Sequence, residues 1–258
     1  MSVSNSDDNK IITRETLNRY LSELAKEYKR GGGRNTPAEI VMVGGAAIIA
    51  EYQFRDATED IDALIQAASV MKEAIAKVEE RYHLPHDWIN TGFTKTASYS
   101  RGLVMCSSYY RTFSQVFNVR VVKGEYLVAM KLRSYRDYKN DISDIVGILA
   151  AHKERGNPIT LDMIDKAVKE LYGSWDGISS NASTFIREAV ARADYEDLYL
   201  EVRKGEQEAR EIMVEFIGQY PDRISKLNAT TLIEQIRKKK HSTEPDNTKD
   251  QPDRRDDE

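Results

Sequence analysis

The sequence predicts an α+β protein, with an N-terminal α/β unit followed by a helical C-terminal half. Three observations point there. Short apolar runs at residues 39–43 and 60–65 are bracketed by glycine, proline or acids, and they alternate with amphipathic segments. Residues 88–123 are rich in Tyr, Thr, Ser, Val and Phe, and 116–122 alternate as a strand does. From Glu125 almost to Lys240 the apolar spacing is that of helices.

In chain order, residues 1–10 are polar and read as a disordered lead. A helix is expected from about Thr13, its N-cap, to Arg30. Leu17, Tyr20, Leu21, Leu24 and Tyr28 fall on one face, and three glycines from Gly31 stop it. Pro37 leads into a buried strand at 39–43. Gly44 and Gly45 follow, then a helix at 46–52, a strand at 60–65 and a helix at 69–82. Past the strand-rich stretch, a helix is expected at 125–138. Asp141 then reads as the N-cap of another, whose core side is Ile142, Ile145, Val146 and Leu149. Leu161, Ile164, Val168 and Leu171 mark one more, and segments 183–203 and 206–219 mark two others. A soft boundary near Arg155 and Pro158 separates an α/β domain at 11–155 from a helical region at 156–240, with a disordered tail at 241–258.

Composition narrows the class. With 40% hydrophobic and 31% charged residues among 258, the chain can bury one sizeable core or two small ones. Its longest apolar stretch, 40–50, is broken by two glycines and falls short of the ~18 residues a spanning helix needs, so no membrane association is expected. Met1 to Lys10 lacks the pattern of a signal segment. One cysteine, Cys106, excludes an intramolecular disulfide and a multi-cysteine zinc site, which makes a cytoplasmic setting the expectation. The net charge of −4 is a property of the tail, which holds seven acids and three bases and leaves 35 of each sign in residues 1–240. Bulk charge therefore neither announces nor excludes nucleic-acid binding.

Four features carry chemistry. Gly44 and Gly45, between a strand and a helix, let the backbone approach a bound group and leave N–H donors at a helix N-terminus, a site suited to phosphate. A tight turn is the plainer reading. Asp60 and Asp62 open an apolar strand on one side of it, roughly 7 Å apart. Two carboxylates on one face repel, and a divalent metal removes that cost; a solvated strand entry is the alternative. Arg55 and Thr58 upstream either contact phosphate or form the turn. Lys131 lies on the apolar side of its helix, where an ammonium must snorkel or meet an anion. Asp141 and Asp144 open the next helix. Capping suits Asp141, and an active-site acid remains open for Asp144. His83 and His86 are split by Pro85 and do not share a face; His152 reads as a surface residue. Cys106 has no base near it in sequence, and the basic cluster at 237–240 reads as a solvated helix end.

This ordered set resembles the nucleotidyltransferases of the DNA polymerase β superfamily, and most nearly their AbiEii-like branch, which includes toxins of toxin–antitoxin and phage-defence systems. The likeness spans roughly residues 38–150 and implies a nucleotidyltransferase-type mixed sheet flanked by helices. It implies that Gly44 and Gly45 cradle phosphate, with Arg55 and Thr58 beside them, and that Asp60 and Asp62 hold Mg²⁺. Lys131 would meet the NTP triphosphate and Asp144, ahead of Asp141, would be the further acid. The strand at 117–121 lacks the third metal carboxylate of many superfamily members, which leaves the general base open among Asp144, Glu125 and other groups. The activity implied is transfer of an NMP from an NTP to an acceptor hydroxyl, favouring an RNA or tRNA 3′ end, with a cognate antitoxin as partner. A non-catalytic binding module and a small-molecule (antibiotic-type) transferase are the rival expectations.

Overall fold

The structure, a computed structural model, describes residues 11–219 and Ile233. The expected lead at 1–10, the basic cluster at 237–240 and the acidic tail at 241–258 lie outside the described residues. A short strand, β1 (Ile12–Thr13), runs into α1 (Arg14–Arg30). Thr13 caps that helix as its sequence requires: its hydroxyl accepts from the Thr16 N–H, and its own N–H donates to the Thr16 hydroxyl at 2.8 Å. Leu17, Leu21, Leu24 and Tyr28 are fully buried, and each such leucine is worth roughly 1.5–3 kcal/mol relative to an exposed one.

The main sheet holds five strands: β2 (Ala38–Met42), β4 (Ile61–Gln66), β5 (Ile89–Asn90), β6 (Ser107–Phe113) and β7 (Phe117–Val122). Their spatial order is β5-β4-β2-β7-β6, while β3 (Ala57–Thr58) pairs separately with β1. Central β2 is buried at four of its five positions, as suits a strand covered on both faces. It runs antiparallel to β4 and parallel to β7, with Met42 opposite both Ala63 and Val121. The end of β2, the end of β7 and the start of β4 therefore share one edge of the sheet. The Val43 N–H donates to the Asp62 carbonyl at 2.9 Å and ties the acidic strand entry to the glycine corner. In open α/β sheets this carboxyl edge is where ligands bind.

Helix α2 (Gly44–Glu51) leaves that edge, and α3 (Val70–Tyr82) packs on α1. Helix α4 (Gly124–Ser134) follows β7 and packs on α5 (Asp141–Glu154) and α6 (Leu161–Tyr172). Then come α7 (Ser180–Arg192) and α8 (Tyr195–Gln219), the latter lying along α5. One continuous core runs from Ile12 to Leu198 across the turn after α5. Cys106 is buried within it. Among the described residues, no helix is long and apolar enough to cross a membrane.

Several local expectations need correction. The helix expected at 125–138 ends at Ser134, because Tyr135 adopts a left-handed conformation (φ 36°) and turns the chain. Tyr138 packs instead against Ala209, Ile212 and Met213 of α8. The break between the last two helices falls at Ala193 (φ 51°), not near Gly205, which sits inside α8. Helix α2 starts two residues early and takes in both glycines. His152 is half-buried rather than on the surface: its Nε2 meets the Tyr52 hydroxyl at 3.0 Å.

Candidate active site

The glycine corner is built for close approach. Gly44 is left-handed (φ 58°), and a Cβ there would stand 3.6 Å from Asp62 Oδ2. At Gly45 a Cβ would meet Thr58 Oγ1 at 2.3 Å and Arg55 Nη2 at 2.9 Å, so only glycine fits. The groups that approach the corner are thus the chain's own Thr58 and Arg55. Among the described residues no side chain caps α2, whose N-cap is Val43. Its first N–H groups lack intrahelical partners by the geometry of any helix start.

Asp60 and Asp62 stand beside this corner, though not both on the strand as expected. Strand β4 begins at Ile61, and Asp60 sits in the bend before it. The Asn90 side chain donates to Asp60 Oδ2 at 3.1 Å, and Asn90 faces Asp62 in the β4–β5 register. No ion pair forms at either carboxylate among the described residues. Burial, and then the charge of Asp60, push the Asp62 carboxyl up to about 6. Lys131 and Arg136 act on it in the opposite sense, which places both cations within electrostatic range.

Asp141 and Asp144 live differently. Lys131 Nζ lies 2.9 Å from Asp141 Oδ1 and 2.8 Å from Asp144 Oδ2, with its side chain 12% exposed. Arg136 takes Asp141 in a fork: Nε to Oδ2 at 2.8 Å and Nη2 to Oδ1 at 3.1 Å. Its backbone N–H adds a third bond at 3.1 Å. Arg55 Nη1 reaches Asp144 Oδ2 at 2.7 Å, and its Nε holds the Ala57 carbonyl. Burial alone would raise the Asp141 carboxyl, but the Lys131 and Arg136 charges overrule it and hold the group well below the usual carboxylate range. Burial would likewise lower Lys131, and its two carboxylates raise it instead. Asp141 therefore does not cap its helix as expected. The N-cap is Asn140, and the Asp141 carboxylate turns inward to the two cations. The left-handed turn at Tyr135 ends α4, and just past it Arg136 meets Asp141 with its backbone N–H and its guanidinium.

The structure brings Gly44, Gly45, Arg55, Thr58, Asp60, Asp62, Lys131, Asp141 and Asp144 to one neighbourhood. Glu125 stays apart, and its charge acts on Tyr52 and His152. Strand β7 carries no acid and borders β2 rather than β4. Among the described residues, no three His, Cys, Asp or Glu side chains cluster as a metal cage. Three further residues take part to which the sequence alone assigns no role. Arg136 remains 43% exposed while anchored on Asp141. Asn90 steadies Asp60. Glu206, on α8, reaches the start of α5. An arginine five residues before a buried acid is a local signal for the first; the other two lie 30 and 64 residues from their partners.

A family model described as "Nucleotidyltransferase of unknown function (DUF6036)" matches residues 19–152, just over half of the chain and the whole of this neighbourhood except Glu206. The chain belongs to this nucleotidyltransferase family. No curated protein and no solved structure matches the chain. For a nucleotidyltransferase the matched span is informative, because it begins within α1 and ends within α5. It thereby takes in both aspartate pairs and the cations between them.

Proposed function

We propose that the protein is a Mg²⁺-dependent nucleotidyltransferase that moves an NMP from an NTP to an acceptor hydroxyl and releases pyrophosphate. The observation that carries this is the pair Asp60 and Asp62. Two carboxylates stand beside a glycine corner at the ligand-binding edge of the sheet, with no ion pair of their own among the described residues. Mg²⁺ is commonly held by one or two carboxylates plus substrate phosphates, so a two-acid site with a free neighbourhood fits it. When bound there it would neutralise the acids and polarise phosphoryl oxygens.

The chain's own residues supply the rest. Gly44 and Gly45 offer N–H donors to phosphate at the start of α2. Arg136, exposed and oriented by its fork on Asp141, presents charge toward the triphosphate. Lys131, already neutralised by two carboxylates, braces α4 to α5 and steadies Arg136 through their shared Asp141. Catalysis of this kind is positioning and charge neutralisation. The acceptor we favour is an RNA, with a tRNA 3′ end first, in an AbiEii-like toxin–antitoxin setting with a cognate antitoxin. That part rests on the resemblance of the motif set.

Two observations favour a second reading, a non-catalytic binding module. The Lys131 ammonium is committed within the protein, and no acid stands on β7. Incubation of the full chain with α-labelled NTPs, Mg²⁺ and total RNA, protein or small-molecule fractions separates the readings. Label is expected in RNA, lost on chelation of the metal and in the Asp60→Ala, Asp62→Ala double variant. Label in the small-molecule fraction would move the acceptor to an antibiotic-type substrate. NTP binding that ignores both Mg²⁺ and the double substitution, with no transfer to any fraction, would leave the binding module.

A further inference from the structure

Helix α5 carries Asp141 and Asp144 in its first turn, yet its N-cap residue, Asn140, makes no side-chain hydrogen bond to it. Helix starts leave backbone N–H groups without partners, and buried ones must be met from elsewhere. They are met from the C-terminal half. Glu206 Oε1 accepts from the Ile142 N–H at 2.9 Å and from the Ser143 N–H at 3.0 Å. Asn140 is itself taken by the same helix: its Oδ1 accepts from Arg203 Nη1 at 3.3 Å and Arg210 Nη2 at 2.9 Å. Positions 203, 206 and 210 lie on one face of α8. That face grips the start of α5 and the residue before it.

This is an expensive way to cap a helix. A serine or aspartate at position 140 would do it locally. Here a carboxylate is buried to 2% exposure, its Oε2 has no hydrogen-bond partner among the described residues, and the charge of Asp144 opposes its own. A local cap would leave the first turn of α5 free to shift relative to α8. The remote one fixes the two together.

We infer that Glu206 is a positioning residue of the nucleotide site, acting through the N-terminus of α5 to set where Asp141 and Asp144 hold Lys131, Arg136 and Arg55. For the nucleotide, this rests on the reading proposed above. Among the described residues no hydrogen bond or ion pair joins Glu206 to those five side chains, and its hold on α5 runs through the Ile142 and Ser143 N–H groups. The C-terminal half then contributes to the site by carrying this cap, beyond any part in admitting an acceptor.

The test compares Glu206→Ala with Glu206→Gln in the full chain, since glutamine keeps an oxygen for the two N–H groups. Three measurements are made on each: amide exchange at Ile142 and Ser143, side-chain carboxyl resonances of Asp141 and Asp144, and ATP affinity with Mg²⁺ by calorimetry. Alanine is expected to lower protection of the two amides and weaken ATP binding roughly tenfold each, the factor a lost cap represents, and to move both carboxyl resonances. Glutamine is expected to restore all three to within about twofold. A folded alanine variant that loses protection but keeps wild-type resonances and ATP affinity would overturn the inference and leave Glu206 as a helix cap. If alanine does not fold, Glu206→Asp, one methylene shorter, replaces it and is expected to fall between wild type and that loss; wild-type resonances and affinity there overturn the inference. If the wild type binds no ATP, the functional reading falls separately, and the carboxyl resonances decide: movement supports the positioning role and constancy refutes it.

Discussion

Two aspartate pairs share the same cations as neighbours, and the fold treats them in opposite ways. Asp141 and Asp144 are almost completely buried and surrounded by Lys131, Arg136 and Arg55. Asp60 and Asp62 are only partly buried and repel one another, and Asp60 accepts a hydrogen bond from the Asn90 side chain. One pair is locked into the interior by its cations, while the other has no ion pair among the described residues. Stability has been placed in the first pair. The second carries a repulsion that folding alone does not relieve.

The contrast is broken most severely at Lys131. Replacing it with methionine removes the ammonium shared by two buried carboxylates, and breaking a buried pair in this way costs about 3–5 kcal/mol. Urea unfolding at pH 7 should show that loss, with part recovered when Asp144→Asn is added. A loss no larger than that of a surface pair would mean the brace is not structural.

A smaller effect, of opposite sign, is expected at Asp62. Its carboxyl is raised from 3.8 to about 6. Its stabilising contribution is thus complete below the ordinary value and lost as the pH climbs through about 6. Asp62→Asn should therefore match wild type at pH 4 and exceed it at pH 8 by about 2 kcal/mol, discounted for partial exposure. Asp141, held low, runs the other way: its contribution is in place above the usual carboxylate range and disappears in acid. Glu206, raised by burial to about 7, adds to the loss between about 4.5 and 7, so Glu206→Gln should flatten that part of the stability–pH curve.

Mg²⁺ should act on one pair and not on the other. At tenfold excess over its dissociation constant a ligand adds about 1.4 kcal/mol to the folded state. A melting-temperature rise with Mg²⁺ is expected in wild type, absent in Asp62→Asn and retained in a folded variant of Glu125, which lies outside the site. The smallest expectation is a control. Lys77 and Glu73 form a 2.7 Å pair on the exposed face of α3, and Lys77→Ala should leave the melting curve unchanged within error, because exposed pairs are screened and entropically costly.

Much of this was legible along the chain because its signals are local. The Thr13 capping box, the glycine corner and the strand pairing an acid with buried isoleucine and alanine all declare themselves within a few residues. Lys131 declared itself by sitting on an apolar face, and its anions came from the next helix. What stayed hidden depends on distance or on a single dihedral. Asp141 reads as a cap until Tyr135 turns the chain and delivers Arg136 and Lys131 to its carboxylate. Glu206 is one acid among many on a charged helix, and nothing nearby in sequence marks it as the partner of Ile142 and Ser143. Ala193 breaks the last helical run where Gly205 offered the stronger local signal. There, packing of α8 along α5 overrode the glycine's preference.

The lone thiol has a practical consequence. Cys106 is enclosed beside Leu103 and Tyr126, and burial moves its ionisation upward, which suppresses the reactive thiolate. Maleimide dyes will therefore prefer any cysteine introduced on an open surface. Leu200→Cys, on the solvent side of α8, is such a handle, and the native chain already serves as the cysteine-silent background for fluorescence ranging between that helix and the sheet.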